Sequence, residues 1–120
     1  MKFLKNITVF LTILITLYGC TTINREDLVL NYERSANYSC EDGNIITVKY
    51  YSLPDKSSWF AEVYLPDGEK YTLMNKVSAS GSKYGNDFIV WWTKGESAFI
   101  ELLGDNGKWK RVLNCTVISD

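Results

Sequence analysis

From Tyr38 to the end of the chain, apolar residues recur at every second position in short runs, and each run is cut by residues that turn a backbone. A period of two belongs to a strand with one dry face and one wet face. After an Asp42-Gly43-Asn44 turn, Ile46, Val48 and Tyr50 share one face, while Ile45, Thr47, Lys49 and Tyr51 share the other. Leu53-Pro54-Asp55 and Pro66-Asp67-Gly68 are the next breaks, and both carry turn chemistry. Between them Ala61, Val63 and Leu65 oppose Phe60, Glu62 and Tyr64. A short strand at Tyr71-Thr72-Leu73-Met74 leads into a small-residue loop from Ser78 to Ser82, then into an aromatic, strongly β-prone strand from Phe88 to Thr93. Lys94-Gly95-Glu96 turns the chain into Ala98, Ile100 and Leu102, alternating with Phe99 and Glu101, and Asp105-Asn106-Gly107 precedes a last strand from Trp109 to Ile118. About eight strands in so short a chain, with no helical period, most simply remove their edges by closing. The expected fold is all-β, one small antiparallel β-barrel of about eight strands, without internal repeats.

The N-terminus reads as an address. Lys2 and Lys5 precede an almost wholly apolar run from Val9 to Tyr18, the n-region and h-region of a signal peptide. The run ends at Leu17-Tyr18-Gly19-Cys20, which resembles the lipobox of bacterial lipoproteins, although Tyr18 stands where Ala or Ser is usual. That resemblance implies a signal peptide over residues 1–19 and a diacylated Cys20 holding the protein to a membrane. Ordinary secretion and a retained membrane anchor are the alternatives. The apolar run is shorter than the roughly 20 residues that cross a bilayer core, and several acyl chains are needed for durable anchoring. Thr21, where Asp would signal inner-membrane retention, favours the outer membrane facing the periplasm. Residues 20–37, with Arg25, Glu26, Asp27, Glu33 and Arg34 and no sustained period, read as a tether, and residues 38–120 as the domain.

Of three cysteines, one is taken by lipid, and Cys40 and Cys115 bracket nearly all of the domain. In an oxidising compartment an even pair in a small domain reads as a disulfide, with two buried free thiols as the alternative. Closing so long a loop adds on the order of 4 kcal/mol in the chain-entropy model, which matters for a domain with little core. A zinc site is disfavoured because the chain has 0 histidines and no closely spaced cysteine pair.

Nothing in the sequence points to catalysis. The chain carries neither a histidine nor a cysteine free to act as nucleophile once the pair is bridged. Its glycines lack the strand, loop and helix context of phosphate-binding motifs. The expected protein is not an enzyme and needs no cofactor. Without the two signal lysines, 11 basic residues face 14 acidic ones. That balance disfavours nucleic acid and modestly favours a basic partner.

Two short segments stand apart. Ser80-Gly81 offers a hydroxyl on a loop whose glycine permits unusual backbone angles or the close approach of another surface. Lys94 ends a stiff aromatic strand beside Gly95, so it can project a cation from a rigid base. The bland interpretation, which composition alone favours, is a plain turn, a solvated hairpin charge, and Trp91 and Trp92 as one core and one surface aromatic.

Taken together, Ser80-Gly81-Ser82-Lys83-Tyr84 and Trp91-Trp92-Thr93-Lys94-Gly95-Glu96-Ser97-Ala98 closely resemble the membrane-bound lysozyme inhibitors of C-type lysozyme. That family's pattern is Ser-Gly-x-x-Tyr followed, after a short gap, by Trp-x-x-Lys-Gly-x-x-Ala or a near variant. The lipobox, the Tyr38-Ser39-Cys40 opening and Cys115 in the final strand agree, so the likeness covers residues 38–117. It implies an eight-stranded barrel that binds C-type lysozyme and blocks its active-site cleft, protecting peptidoglycan from hydrolysis. Ser80 and Lys94 would engage the enzyme's two catalytic carboxylates. Lysozyme needs those two groups in different protonation states, so a hydroxyl and a cation between them would perturb both and exclude sugar. Thr93 and Gly95 would line the interface, Gly81 would set the loop's shape, and Tyr84 would support the loop more than touch the enzyme. Trp92, on the alternation of Phe88 and Val90, is expected to be structural. Lys83 adds a second positive charge at a variable position of the loop. The sequence leaves homodimer formation open. The competing readings are a barrel carrying a small ligand and a structural lipoprotein that binds peptidoglycan or an envelope partner.

Overall fold

A computed structural model of the chain describes residues 29–119. The expected signal peptide, the lipidation site at Cys20 and the tether up to residue 28 lie outside the described residues.

Eight strands follow one another in the chain: β1 Asn31–Cys40, β2 Ile45–Ser52, β3 Trp59–Tyr64, β4 Lys70–Lys76, β5 Ser82–Gly85, β6 Ile89–Lys94, β7 Ser97–Leu103 and β8 Trp109–Ser119. Each pairs antiparallel with the next, and β8 returns to β1, so the sheet is a closed barrel. Closure removes every sheet edge, as an antiparallel chain this short requires. β1 starts at Asn31 rather than at Tyr38, because β2 supplies pairing partners from Ser39↔Ile45 back to Asn31↔Ser52. Residues 31–37 are therefore barrel wall. The four-residue β5, Ser82–Gly85, begins at the last residue of the expected Ser78 to Ser82 loop, and residues 83–85 carry no strand expectation; so short a run has no detectable period.

The inward faces meet in a dry core. Ile46, Val48 and Tyr50 of β2, Ala61 and Val63 of β3, Leu73 of β4 and Trp91 of β6 are all buried, with Trp91 0% exposed. The barrel is filled by side chains, as small barrels of about eight strands are. Polar atoms inside find one another. The Trp91 Nε1–H donates to Tyr50 Oη at 3.2 Å, and the Tyr38 and Tyr50 hydroxyls lie 3.2 Å apart. Tyr38 packs edge-on against Trp91 with ring centroids 4.9 Å apart.

The last seam is covalent. Cys40 and Cys115 stand directly opposite each other in the β1–β8 pair and are joined by a disulfide across 75 residues. It ties together the two strands that come from opposite ends of the chain, the pair whose meeting costs the most chain entropy.

Two irregularities bear on the surface. In the β7–β8 pairing, Ile100 faces Leu113 but Glu101 faces Arg111, so Val112 is an extra residue, a β-bulge. The bulge flips the parity of the strand before it and places Arg111 on the outer wall. Leu102 keeps the inward parity expected of it, opposite Ile89, yet is 40% exposed because it lies at the open rim.

Candidate functional site

All loops that follow even-numbered strands open at one end of the barrel, the end where β1 begins: residues 53–58, 77–81 and 95–96. This up-and-down order brings the Ser80-Gly81 loop and the Lys94-Gly95 hairpin together, although the chain separates them by a strand pair. The register makes the neighbourhood direct. Ser82 faces Thr93, Lys83 faces Trp92 and Tyr84 faces Trp91 across β5 and β6.

Gly81 is the hinge of this arrangement. Its φ is +67°, in the left-handed region that favours glycine, and a Cβ built on it would fall on the Thr93 carbonyl oxygen and 2.9 Å from Lys94 Cγ. The loop therefore lies flat against the base of Lys94. Gly95, with φ +59°, takes the first position of the two-residue turn between paired Lys94 and Ser97, where primed hairpin turns need such an angle.

The loop is held by its own carbonyl. Ser80 O accepts the Trp92 Nε1–H at 2.9 Å and also the Ser78 hydroxyl, while the Ser80 amide donates to Ser78 Oγ at 3.3 Å. Among the described residues no hydrogen bond uses the Ser80 hydroxyl, which sits on an exposed residue. Thr93 Oγ1 donates to Ser82 O at 3.3 Å, closing the strand pair below the loop. Trp92 is outward-facing and half-buried, and its structural role is that of a clamp outside the barrel, distinct from the core position of Trp91.

Lys94 is exposed and belongs to no ion pair among the described residues. Its ammonium stands over the Trp92 ring at 4.4 Å and near the Phe99 ring at 5.8 Å. Such contacts hold a cation without neutralising it. Tyr84 turns inward instead: it is 7% exposed and packs on Tyr50 with centroids 5.5 Å apart. Burial, then the neighbouring Tyr50, raises its hydroxyl above the ordinary phenol range.

Sequence reasoning missed two sets of neighbours. Phe99 reads as an ordinary alternating residue, yet it is an outward-facing ring only 4% exposed because Trp92, Lys94 and Arg111 cover it. The other is the polar mouth of the barrel, a hollow of about 490 Å³ where Arg34 lies 4.4 Å over the Tyr50 ring and Asn75 and Ser82 contribute polar groups. Beside it Glu33 accepts from the buried Ser52 hydroxyl and from Lys56, and those bonds, the lysine's foremost, hold its carboxyl below the usual range.

A family model described as membrane-bound lysozyme-inhibitor of c-type lysozyme matches residues 38–109. The chain belongs to this family. Among its relatives, the membrane-bound lysozyme inhibitor of C-type lysozyme of Pseudomonas aeruginosa is 43% identical over 77 residues, 64% of this chain and 55% of that protein. The protein of the same name in Cupriavidus necator is 32% identical over 83 residues, 68% of this chain and 64% of that protein. The chain thus spans somewhat over half the length of these relatives. The crystal structure of Pseudomonas aeruginosa MliC in complex with hen egg white lysozyme is also similar, with a TM-score of 0.58 and 28% identity over 84% of this chain and 94% of that one. The matched stretch, residues 38–109, contains both the Ser80-Gly81 and the Lys94-Gly95 segments.

Proposed function

We propose that the protein is a bacterial envelope lipoprotein, anchored through Cys20 to the outer membrane and facing the periplasm, that binds C-type lysozyme and blocks its active-site cleft. The observation that carries this reading is the convergence of Ser80-Gly81 and Lys94 at one barrel end, with the lysine cation in no ion pair and the serine hydroxyl in no hydrogen bond among the described residues. Membership of the inhibitor family and likeness to a structure holding hen egg white lysozyme support it.

The physical argument is occlusion. A glycosidase cleft is lined by two carboxyl groups that must differ in protonation. Lys94 would supply one cation to that pair and Ser80 one hydroxyl, with Thr93 and Gly95 at the margin and Gly81 letting the two segments close up. Removing the water shell of an ammonium is costly, and acidic partners in a poorly hydrated cleft offset the cost. Tyr84, buried, supports the loop from below. No bond is made or broken, so no cofactor takes part. A filled interior speaks against a ligand carried inside the barrel.

The test is inhibition of hen egg white lysozyme on bacterial cell walls by the full chain, purified in a non-ionic detergent. Stoichiometric inhibition is expected. Lys94→Ala should weaken it by about 2 kcal/mol or more, roughly thirtyfold, and Ser80→Ala by less, with the melting temperature unchanged. Unaltered inhibition by the double variant would remove these residues from the interface. A folded, oxidised protein that does not inhibit would turn attention to peptidoglycan binding.

A further inference from the structure

Lys83, Trp92, Phe99 and Asn114 face one another in register across β5, β6, β7 and β8, forming one row on the outer wall. Cations sit on both rings of that row. Lys83 Nζ lies 4.7 Å from the Trp92 centroid and Lys94 Nζ 4.4 Å from the same ring. Lys94 is again 5.8 Å from the Phe99 centroid, and the Arg111 guanidinium lies 3.4 Å from it. The order along the wall is Lys83, Trp92, Lys94, Phe99, Arg111, three positive charges interleaved with two aromatic rings.

This ladder starts at the Ser80-Gly81 loop and runs down into a groove of about 670 Å³ bordered by Lys94, Phe99, Arg111, Asn114 and Thr116. None of the three cations is in an ion pair among the described residues. Acidic groups are at hand, but engaged or turned elsewhere. Glu41, on the groove's far side, accepts from the Asn114 backbone and side-chain nitrogens at 3.2 and 3.3 Å. Glu101, opposite Arg111 in the register, does not pair with it, because the guanidinium stacks on Phe99 instead. Three like charges held in a line repel one another. The ring faces offset part of that cost, and Lys94 and Arg111 cover Phe99. What is left is a strip of three cations outside any ion pair among the described residues, flanked by Glu41 and Glu101, on a chain that without the two signal lysines carries more acidic than basic residues.

We propose that the surface that grips the enzyme extends beyond the two loops onto this wall, where Lys83, Lys94 and Arg111 form a cationic platform for an acidic stretch of lysozyme bordering its cleft. The inference rests on the lysozyme-binding reading and deepens it. Lys94 belongs to both parts of the interface: its ammonium rests on the platform rings here, and it would have to leave them to reach into the cleft. Lys83 and Arg111 act outside the cleft, where charge pairs govern the rate of association and the choice among lysozymes more than the final occlusion. The platform favours lysozymes with a carboxylate on the cleft rim over those with a basic rim.

The test compares the full chain with Lys83→Gln/Arg111→Gln and, separately, Lys94→Ala, reading inhibition constant and association rate against hen egg white lysozyme at low and near-physiological ionic strength. The double variant is expected to bind about tenfold more weakly at low salt and to lose most of the salt dependence, since such rim contacts are screened over about 10 Å. Arg111→Lys, which keeps charge and stem, should stay close to the unaltered protein. A double variant with unchanged affinity and salt slope, beside a weakened Lys94→Ala, would overturn the platform while leaving the cleft reading intact. No inhibition by the unaltered protein would remove the lysozyme reading, and the platform with it.

Discussion

Trp92 reaches out of the barrel wall to tie down a residue twelve positions earlier, its indole N–H donating to the Ser80 carbonyl at 2.9 Å. The clamp fixes the loop that presents Ser80 and Gly81, while the same ring supports Lys83 and Lys94. Trp92→Phe keeps a ring for the cations and removes the donor. The expected loss is about 1 kcal/mol, roughly fivefold in lysozyme inhibition, with a small change in melting temperature. Inhibition titrations beside thermal melts check it; a large melting change with unaltered inhibition would contradict the clamp.

Gly81 tolerates no side chain. Gly81→Ala would set a methyl on the Thr93 carbonyl in a backbone conformation that alanine rarely adopts, so the loop must lift from Lys94. Inhibition should fall by tenfold or more, about 1.4 kcal/mol. Gly43→Ala is the control: it has a similar φ, +84°, but open space around it and lies at the other end of the barrel. That variant should lose only a little stability and no inhibition.

The Cys40–Cys115 bridge closes the β1–β8 seam across 75 residues. Replacing both cysteines by alanine should lower unfolding free energy by about 4 kcal/mol in the chain-entropy model, seen in urea as a lower midpoint with nearly the same slope. Reductant should then leave the variant's midpoint unmoved while lowering that of the unaltered protein. Equal midpoints for the two proteins under oxidising conditions would refute a stabilising bridge.

Stability should decline in alkali because of Tyr50. Burial foremost, and then the hydrogen bond with Tyr38, push its hydroxyl well above the ordinary value of 10.0. A group whose pKa is raised on folding contributes stability fully present below its unfolded value. That contribution is lost as pH climbs from about 10 toward the folded value. Unfolding free energy should therefore fall above about pH 10. In Tyr50→Phe that slope should be shallower. At neutral pH the variant should be about 1–3 kcal/mol less stable, because the Trp91 N–H and the Tyr38 hydroxyl lose a buried partner. Urea midpoints across the alkaline range read both effects.

The β architecture was legible because alternation and turn chemistry are local. Ile46, Val48 and Tyr50 show their common face in the sequence, and Asp42-Gly43-Asn44 and Asp105-Asn106-Gly107 stand where hairpins turn. The cysteine pair was legible because oxidation state follows compartment. β5 was not, since four residues beside a glycine loop carry no period, and neither was the start of β1 at Asn31, whose pairing depends on how far β2 extends.

The sequence by itself determined an all-β closed barrel with a Cys40–Cys115 bridge, and it marked Ser80-Gly81 and Lys94-Gly95 as unusual. Tertiary structure alone decided what those segments touch. Arg111 joins the cations on Trp92 and Phe99 because Val112 is an extra residue opposite β7, turning Arg111 outward when strict alternation with Leu113 and Cys115 would have turned it in. A bulge is set by the fit between two strands distant in sequence, and one inserted residue reverses every side chain before it. No local pattern in β8 carries that information.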